Sequence, residues 1–306
     1  MVKLLLTWHA YPPDPPYWKY MNIDGLMISL SSFKRKKLID SFTLRGLKKS
    51  LGLNSVIIVD SITKNLWKYG GMDPSKTQAQ TLYLQYMLGA DLLVHKDFPL
   101  IKNNISKNYR EKYFKRTLFN AELALKISER LGIDVILVIQ GWDLNTYLKC
   151  AKVYQELGAK YMGIGSLASK RSIKYITNII KGVKKIIGRK TYIHVFGMMN
   201  PKIIPNIAKY IDSVDVSTPI KAAIAREVII PINNTLKRIP LSIMGIDNLK
   251  NIVKDKRLTI FIEELEKTRT LHELKQKLAI FNAYALLSWL RRIINIKGDG
   301  NKIVNP

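Results

Sequence analysis

The sequence contains a single cysteine, Cys150, among 306 residues. One thiol excludes an internal disulfide framework and any zinc site built from several cysteines. Long apolar runs are also missing: no stretch of ~18 apolar residues is long enough to span a bilayer, and the run within Met1–Leu6 is too short for a signal peptide. We therefore expect a cytoplasmic protein that does not enter a membrane.

Acidic residues are few relative to basic ones. The chain has 50 Lys and Arg against 23 Asp and Glu, which gives a net charge of +27. Such an excess favours a polyanionic partner, either nucleic acid or an anionic membrane surface, because neutralising phosphates releases their counterions. A Lys- and Ile-rich composition can also reflect the host proteome. Nucleic acid is the partner that we expect.

From Leu26 onward, short apolar runs alternate with helical segments. The runs are continuous, which is typical of strands buried on both faces of a parallel sheet. Helices ending at glycines are predicted to start at Asp73–Pro74 and to cover Arg116–Leu131 and Asn145–Leu157. The predicted strands are Leu26–Leu30, Val56–Asp60, Leu92–Asp97, Val135–Gln140, Tyr161–Ser166, Tyr192–Gly197 and Ser213–Ser217.

Seven strand–helix steps are compatible with an open doubly wound sheet or with a closed eight-strand barrel. No Gly-x-Gly-x-x-Gly follows the first strand, so a dinucleotide-binding fold lacks its usual marker. We therefore predict an α/β fold, a (β/α)8 TIM-type barrel, with Leu241–Met244 as the eighth strand. Residues 1–25 are predicted to form an N-terminal strap rich in proline and aromatics. Residues 26–306 would form a single catalytic barrel that includes a C-terminal helix at 270–294, opened by a capping box.

Reactive residues of such barrels collect at the C-terminal ends of the strands. Several carboxylates around a concave rim suit substitution at a sugar carbon, where one attacks and another moves protons. They also suit a divalent metal, so a metal-dependent barrel enzyme stays an alternative. His95 and His194 are interpreted as structural. The predicted strand ends carry Asp60-Ser61, Asp97, Gln140-Gly141, Gly165-Ser166, Phe196-Gly197 and Asp215.

The order of these residues resembles that of guanine transglycosylases, particularly the archaeal tRNA enzymes. The similarity runs from about residue 26 to residue 226. Each motif is short, and their occurrence in the expected order makes the set specific. The motifs are Val59-Asp60-Ser61, Asp97-Phe98-Pro99, Val138-Ile139-Gln140-Gly141, Gly163-Ile164-Gly165-Ser166, Val195-Phe196-Gly197 and Asp215-Val216-Ser217.

The resemblance implies a pentosyltransferase that exchanges guanine in a polynucleotide for a 7-deazaguanine base such as 7-cyano-7-deazaguanine. For this chain we expect neither a cofactor nor a metal. Asp215 matches the nucleophile that forms a covalent glycosyl intermediate, and Asp60 matches the general acid/base. The remaining matches concern the base: Asp97 and Gln140 read its polar edge, Gly141, Gly165 and Ser166 lie along it, and Phe196 stacks on it.

The chain also departs from the family pattern. Where the family has Ser-Gly-x-Phe-Gln after the first aspartate, this chain has Ser61-Ile62-Thr63-Lys64-Asn65, so Trp67 or Tyr69 would have to replace the aromatic lid. The family's three-cysteine zinc site is absent, because no cysteine follows Cys150, and nothing after the barrel is long enough for the extra RNA-binding domains. These features resemble shorter relatives that modify DNA, so we favour DNA over tRNA.

An inactive barrel that serves as a nucleic-acid-binding subunit is the alternative from the binding class. The altered segment after Asp60 favours it, and the retention of Asp60, Asp97 and Asp215 argues against it. A homodimer or a partner subunit is compatible with either hypothesis.

Overall fold

The computed structural model of the chain shows a closed barrel of eight parallel strands, as predicted. It describes residues 2–33, 35–61, 77–100, 106–167, 172–197, 200–232 and 235–299, with the backbone alone for residues 201 and 295–299. The strands are β1 (Lys3–Trp8), β2 (Gly25–Ser29), β3 (Val56–Asp60), β4 (Leu92–Val94), β5 (Val135–Ile139), β6 (Tyr161–Ile164), β7 (Tyr192–Val195) and β8 (Ser213–Val216).

The prediction for the eighth strand was wrong. Leu241–Met244 forms a short helix between Pro240 and Gly245, and the strand that completes the barrel is β1, within the predicted N-terminal strap. Leu5 to Trp8 pair in parallel with β2, and the amide of Lys3 donates to the carbonyl of Asp212 beside β8. The run Lys3–Trp8 is as apolar as the other strands, but no helix precedes it, so the strand–helix rhythm did not reveal it.

The chain forms two compact units, of which the first comprises residues 1–12, 24–198 and 209–215. Helices of this unit are α1 (Lys36–Arg45), α2 (Leu47–Leu51), α3 (Gln78–Met87), α4 (Lys107–Leu131), α5 (Leu144–Glu156) and α6 (Ile173–Ile187). The start of α4 precedes the predicted Arg116 by more than two turns of helix. α3 begins with a capping box at Thr77, whereas the predicted start at Asp73–Pro74 lies outside the described residues.

Alternate residues of each strand fill the interior of the barrel. Leu5, Met27, Ile58, Val94 and Ile136 form one buried cluster in which each side chain comes from a different strand. Because side chains along a strand alternate between its two faces, the residues two positions further along point inward as well. The same alternation that builds the core therefore directs later side chains into the mouth of the barrel.

The second unit comprises residues 13–23, 199–208 and 216–306. Its elements are α7 (Ile204–Ile207), α8 (Thr218–Ile224), the antiparallel pair β9 (Glu227–Ile232) and β10 (Thr235–Pro240), α9 (Leu241–Met244), α10 (Ile246–Ile252), α11 (Lys256–Glu266) and α12 (Leu271–Asp299).

The C-terminal helix α12 is longer than predicted and begins at the predicted capping box. Thr270 Oγ1 accepts from the amide of Glu273, and the Glu273 carboxylate accepts from the amide of Thr270. The buried Asn282 of α12 bonds β9, since its Oδ1 accepts from the amide of Ile229 and its Nδ2 donates to the carbonyl of Glu227. Leu271, the first residue of α12, is 65% exposed.

Among the described residues, none of the helices is both long enough and apolar enough to cross a membrane. The division of the chain into a strap and one catalytic barrel at residue 25 stays a prediction.

Leu5→Ala tests the place of β1 in the barrel. Leu5 is 1% exposed in the interior cluster, so the truncation should lower the free energy of unfolding by about 2–5 kcal/mol. Leu44→Ala is the control, because Leu44 is 84% exposed on α1 and its loss should change stability by about 0.5 kcal/mol or less. Urea unfolding measures both, and equal effects would contradict the assignment of β1 to the core.

Candidate functional site

The residues singled out in the sequence lie at one rim of the barrel. Because all paired strands run in parallel, their C-terminal ends open on the same side. β3 ends at Asp60, and Asp215 is the second-to-last residue of β8. The residues that directly follow their strands, or come within three positions of them, are Asp97, Gln140, Gly141, Gly165, Ser166 and Phe196.

Three of these side chains form a hydrogen-bonded chain across neighbouring strand ends. Gln140 Nε2 donates to Asp97 Oδ2 at 2.5 Å, and Ser166 Oγ donates to Gln140 Oε1 at 2.5 Å. Asp97 and Gln140 are each 2% exposed. Since the amide of Gln140 is bonded at both ends, its orientation is settled and the three side chains act as one polar edge.

Glycines make room for this edge. A Cβ on Gly165 would lie 2.3 Å from Gln140 Nε2, and a Cβ on Gly163 would lie 2.2 Å from the ring of Phe196. The carbonyl of Gly165 accepts from the hydroxyl of Tyr147 on α5 at 3.0 Å. Gly163 and Gly165 therefore accommodate the side chains that line the rim.

Burial raises the pKa of Asp97 to about 6 from its usual 3.8. The amide of Gln140 and a backbone hydrogen bond lower the pKa and oppose that effect without cancelling it. Asp97 is therefore mostly ionised above about pH 6, in a position where its carboxylate faces a neutral donor.

Asp215 has three hydrogen-bond partners and is only 6% exposed. The amide of Gly197 donates to Oδ1 at 2.6 Å, and His194 Nε2 lies 3.3 Å from the same oxygen. Thr7 Oγ1 of β1 donates to Oδ2 at 3.4 Å. Residues from β1, β7 and the loop after β7 thus fix one carboxylate of β8.

His194 was interpreted from the sequence as structural, and its contact with Asp215 was missed. Its Nδ1 lies 2.7 Å from Ser213 Oγ, and its ring meets Phe196 edge-on at 4.4 Å. Side chains along a strand alternate between its two faces, so His194 points into the barrel as Phe196 does. This alternation could have been found in the sequence. The contact could not, because it also depends on the register of β7 and β8, which pairs His194 with Ser213.

His95 is the second buried histidine of the barrel, and it points away from the rim. Its Nδ1 accepts from the amide of Val138 at 2.8 Å, and its ring lies edge-on to Tyr154 of α5. Burial lowers the pKa of His95 to about 3, so the imidazole is neutral. These contacts agree with a structural role.

Asp60 is half-buried at the end of β3, where it pairs in register with Ser29. The next residue, Ser61, is fully buried. The altered segment that follows, together with Trp67 and Tyr69, lies outside the described residues. Within the described part of the chain, no group of three or more His, Cys, Asp or Glu side chains is placed to hold a metal ion.

The sequence of the chain is similar to those of known proteins. The family model described as Queuine tRNA-ribosyltransferase matches residues 29–257, a range that contains every residue predicted for the site. A tRNA-guanine(15) transglycosylase of Korarchaeum cryptofilum is 23% identical over 174 residues, covering 55% of this chain and 29% of that protein. The enzyme of the same name from Methanocaldococcus jannaschii is 26% identical over 182 residues, covering 56% and 27%. The chain thus spans less than a third of the length of these curated relatives.

Asp97→Asn tests the buried carboxylate through the pH dependence of stability. Because the folded pKa is raised, Asp97 stabilises the fold fully below pH 3.8, and that contribution is lost as the pH rises through about 6. Its size is about 3 kcal/mol at most. The amide introduced at this position stays neutral and can still accept from Gln140, so the variant should gain that much over the wild type between about pH 4 and pH 7.5.

Urea unfolding across this pH range measures the difference between the two proteins. Asp40→Asn on the exposed surface of α1 is the control and should follow the wild type. Parallel stability curves for Asp97→Asn and the wild type would show that Asp97 is not held at a raised pKa.

Proposed function

The chain belongs to the queuine tRNA-ribosyltransferase family, and on this basis we propose that it exchanges guanine in a polynucleotide for a 7-deazaguanine base. The observation that carries the proposal is the pairing of two features at one rim. One is Asp215, whose carboxylate is held by hydrogen bonds with Gly197, His194 and Thr7. The other is the polar edge of Asp97, Gln140 and Ser166.

In the first half of the reaction, Asp215 attacks the anomeric carbon of the target nucleotide. A bond forms between its carboxylate oxygen and the sugar while the bond from the sugar to guanine breaks. Asp60 donates a proton to the departing base as general acid. Because the intermediate is covalent, the sugar stays in the site while the bases exchange.

In the second half, the entering base replaces guanine on the same sugar. Asp60 takes a proton from its ring nitrogen as general base, and this nitrogen attacks the anomeric carbon, which releases the carboxylate of Asp215. Two displacements at one carbon restore the original configuration. The proton balance closes because Asp60 gives one proton and recovers one.

The polar edge explains why both bases fit the site. Guanine and 7-deazaguanines present the same ring N–H, amino group and carbonyl on this side, and they differ at position 7. Ionised Asp97 accepts from the N–H groups, and Gln140 and Ser166 orient it. The backbone of Gly141 and Gly165 borders the base, and Phe196 offers a ring for stacking.

The polymer is DNA in our proposal, with tRNA as the alternative that the names of the curated relatives favour. DNA is supported by one sequence feature, the absence of any cysteine after Cys150 that could contribute to the zinc site of the tRNA enzymes. In a duplex, the target nucleotide has to leave the base stack before its glycosidic bond is accessible.

An exchange assay tests the proposal. The protein is incubated with labelled 7-cyano-7-deazaguanine and either guanine-containing DNA or tRNA, and incorporation is measured. Label should enter one polymer, and Asp215→Asn should reduce the rate by about 10³-fold or more and abolish the covalent adduct. Asp40→Asn serves as the surface control.

Each other result selects a different function. Binding without incorporation, for the chain alone and with candidate partners, would favour the inactive nucleic-acid-binding subunit. Activity that chelation removes would favour a metal-dependent enzyme. Normal exchange by Asp215→Asn would show that Asp215 is not the nucleophile.

A further inference from the structure

Helix α4 extends beyond the rim of the barrel. Two contacts place its middle level with the chain that leaves β4: Thr117 Oγ1 accepts from the amide of Phe98 at 3.1 Å, and Asn120 Nδ2 donates to the carbonyl of Lys96 at 2.7 Å. The ten residues 107–116 come before this level. At 1.5 Å per residue they lengthen the helix by about 15 Å from the level of Thr117, on the side where the predicted site lies.

The charge of α4 is concentrated in this projecting part. Residues 107–116 contain five basic residues and one acidic residue, a net charge of +4, whereas residues 117–131 are neutral overall. In the neutral part, Lys126 pairs with Glu122 at 2.7 Å. The basic residues of the projecting part are Lys107, Arg110, Lys112, Lys115 and Arg116, of which all but Arg110 are exposed.

This placement opposes the preference of an isolated helix. The N-terminal end of a helix carries a partial positive charge, so basic side chains are unfavourable there and acidic ones are favourable. In helix α6, Lys184 and Lys185 lie in the last turn, where the helix dipole favours basic side chains. An external polyanion would offset the repulsion at the start of α4.

Aromatic contacts connect the projecting part to the site. The rings of Tyr109 and Tyr113 lie 4.1 Å apart, and Tyr113 lies 5.0 Å from Phe98, the residue after Asp97. The guanidinium of Arg116 is 5.5 Å from the centre of the Phe98 ring. The basic surface therefore has a defined position next to the polar edge.

We propose that residues 107–116 of α4 bind the phosphates of the polynucleotide strand beside the target nucleotide. This inference rests on the proposed function, since it assigns the polymer to a surface of the same rim. Contacts to phosphates position the strand without reading its sequence.

Binding at several salt concentrations tests the surface. The probes are guanine-containing single-stranded DNA, the corresponding duplex and tRNA, with affinity measured by fluorescence anisotropy. Replacing Lys107, Lys112 and Lys115 together by Gln should weaken binding about 10- to 100-fold at low salt. The slope of log affinity against log salt should fall by about 2–3.

The matched control removes the same charge from the opposite end of the barrel. Lys185, Arg189 and Lys190 are exposed and lead into the start of β7, so their replacement by Gln should change the slope by less than about 1. Equal effects of the two triple variants would overturn the α4 surface. If the wild type bound none of the probes, the proposed function would be wrong about the polynucleotide substrate. The proposal for the α4 surface would then be wrong as well.

A second inference comes from the hydrogen bonds of Asp215. Among the described residues, Oδ1 receives both the Gly197 amide and the imidazole of His194, whereas Oδ2 receives only the long contact from Thr7. An ionised carboxylate only accepts, so His194 Nε2 must carry the proton of its contact. In a ring that carries one proton, Nδ1 is then the acceptor, and Ser213 Oγ lies 2.7 Å from it as the donor.

The geometry points to His194 as a positioning residue for Asp215. Held by Ser213 in the tautomer with the proton on Nε2, it occupies Oδ1 and leaves Oδ2 as the oxygen that attacks the sugar. This inference also rests on the proposed function.

Two variants test whether His194 acts as a hydrogen-bond donor to Asp215 or only fills space in the core. His194→Leu should lower kcat of base exchange about 10- to 100-fold with little change in KM for the base. His194→Gln keeps an N–H near the position of Nε2 and should recover most of that loss. His95→Leu removes a buried histidine that faces away from Asp215, and it controls for destabilisation.

Nitrogen NMR of the His194 ring gives a readout that does not depend on activity. It should show the proton on Nε2, and Ser213→Ala should shift the ring towards the other tautomer. A proton on Nδ1 in the wild type, or equal losses of kcat in His194→Leu and His194→Gln, would overturn the inference. Absence of exchange by the wild type would contradict the proposed function, and the tautomer would still be measured.

Discussion

The arrangement of the rim depends on two buried carboxylates and on the hydrogen-bond donors around them. Asp97 and Asp215 are almost inaccessible, and the partners that the described residues give them are an amide side chain, an imidazole, a hydroxyl and a backbone N–H. An ionised carboxylate is costly to bury unless hydrogen bonds replace its hydration. Neutral donors stabilise the charge without cancelling it, so a carboxylate can still attack carbon or accept from a base.

These donors come from neighbouring strands of a closed barrel. Thr7, His194 and Ser213 belong to three strands. Thr7 lies two residues from Leu5, and His194 lies two residues from Phe196, so both point inward, and Ser213 contacts His194. A strand shifted by one residue would turn its donor outward and bring a core side chain to the solvent. The packing of the core and the hydrogen bonding of the rim therefore depend on the same register.

Charge plays a different role outside the barrel mouth. The chain has a net charge of +27, and along α4 the charge is uneven. The projecting end of this helix is basic, and the end beside the barrel wall is neutral. Neutral donors thus surround the acids at the mouth, and cations lie at its edge. Such a division suits a polymer whose backbone is anionic and whose target base is uncharged.

Local sequence patterns were enough to predict the barrel class, seven of its eight strands and the rim positions of Asp60, Asp97, Gln140 and Asp215. Continuous apolar runs are recognisable without coordinates, and parallel strands place their C-terminal ends together. The patterns failed for β1, which lies before the first predicted strand–helix step, and for Leu241–Met244, whose three apolar residues and one serine fit a short helix equally well.

The neighbours of each rim residue became known only from the three-dimensional arrangement. The pairing of His194 with Ser213 requires the register between β7 and β8, and the contact of Thr7 with Asp215 joins residues far apart in the chain. The raised pKa of Asp97 follows from burial, which depends on everything packed around it. Sequence patterns describe one element at a time, whereas hydrogen-bond partners and burial are properties of the closed barrel.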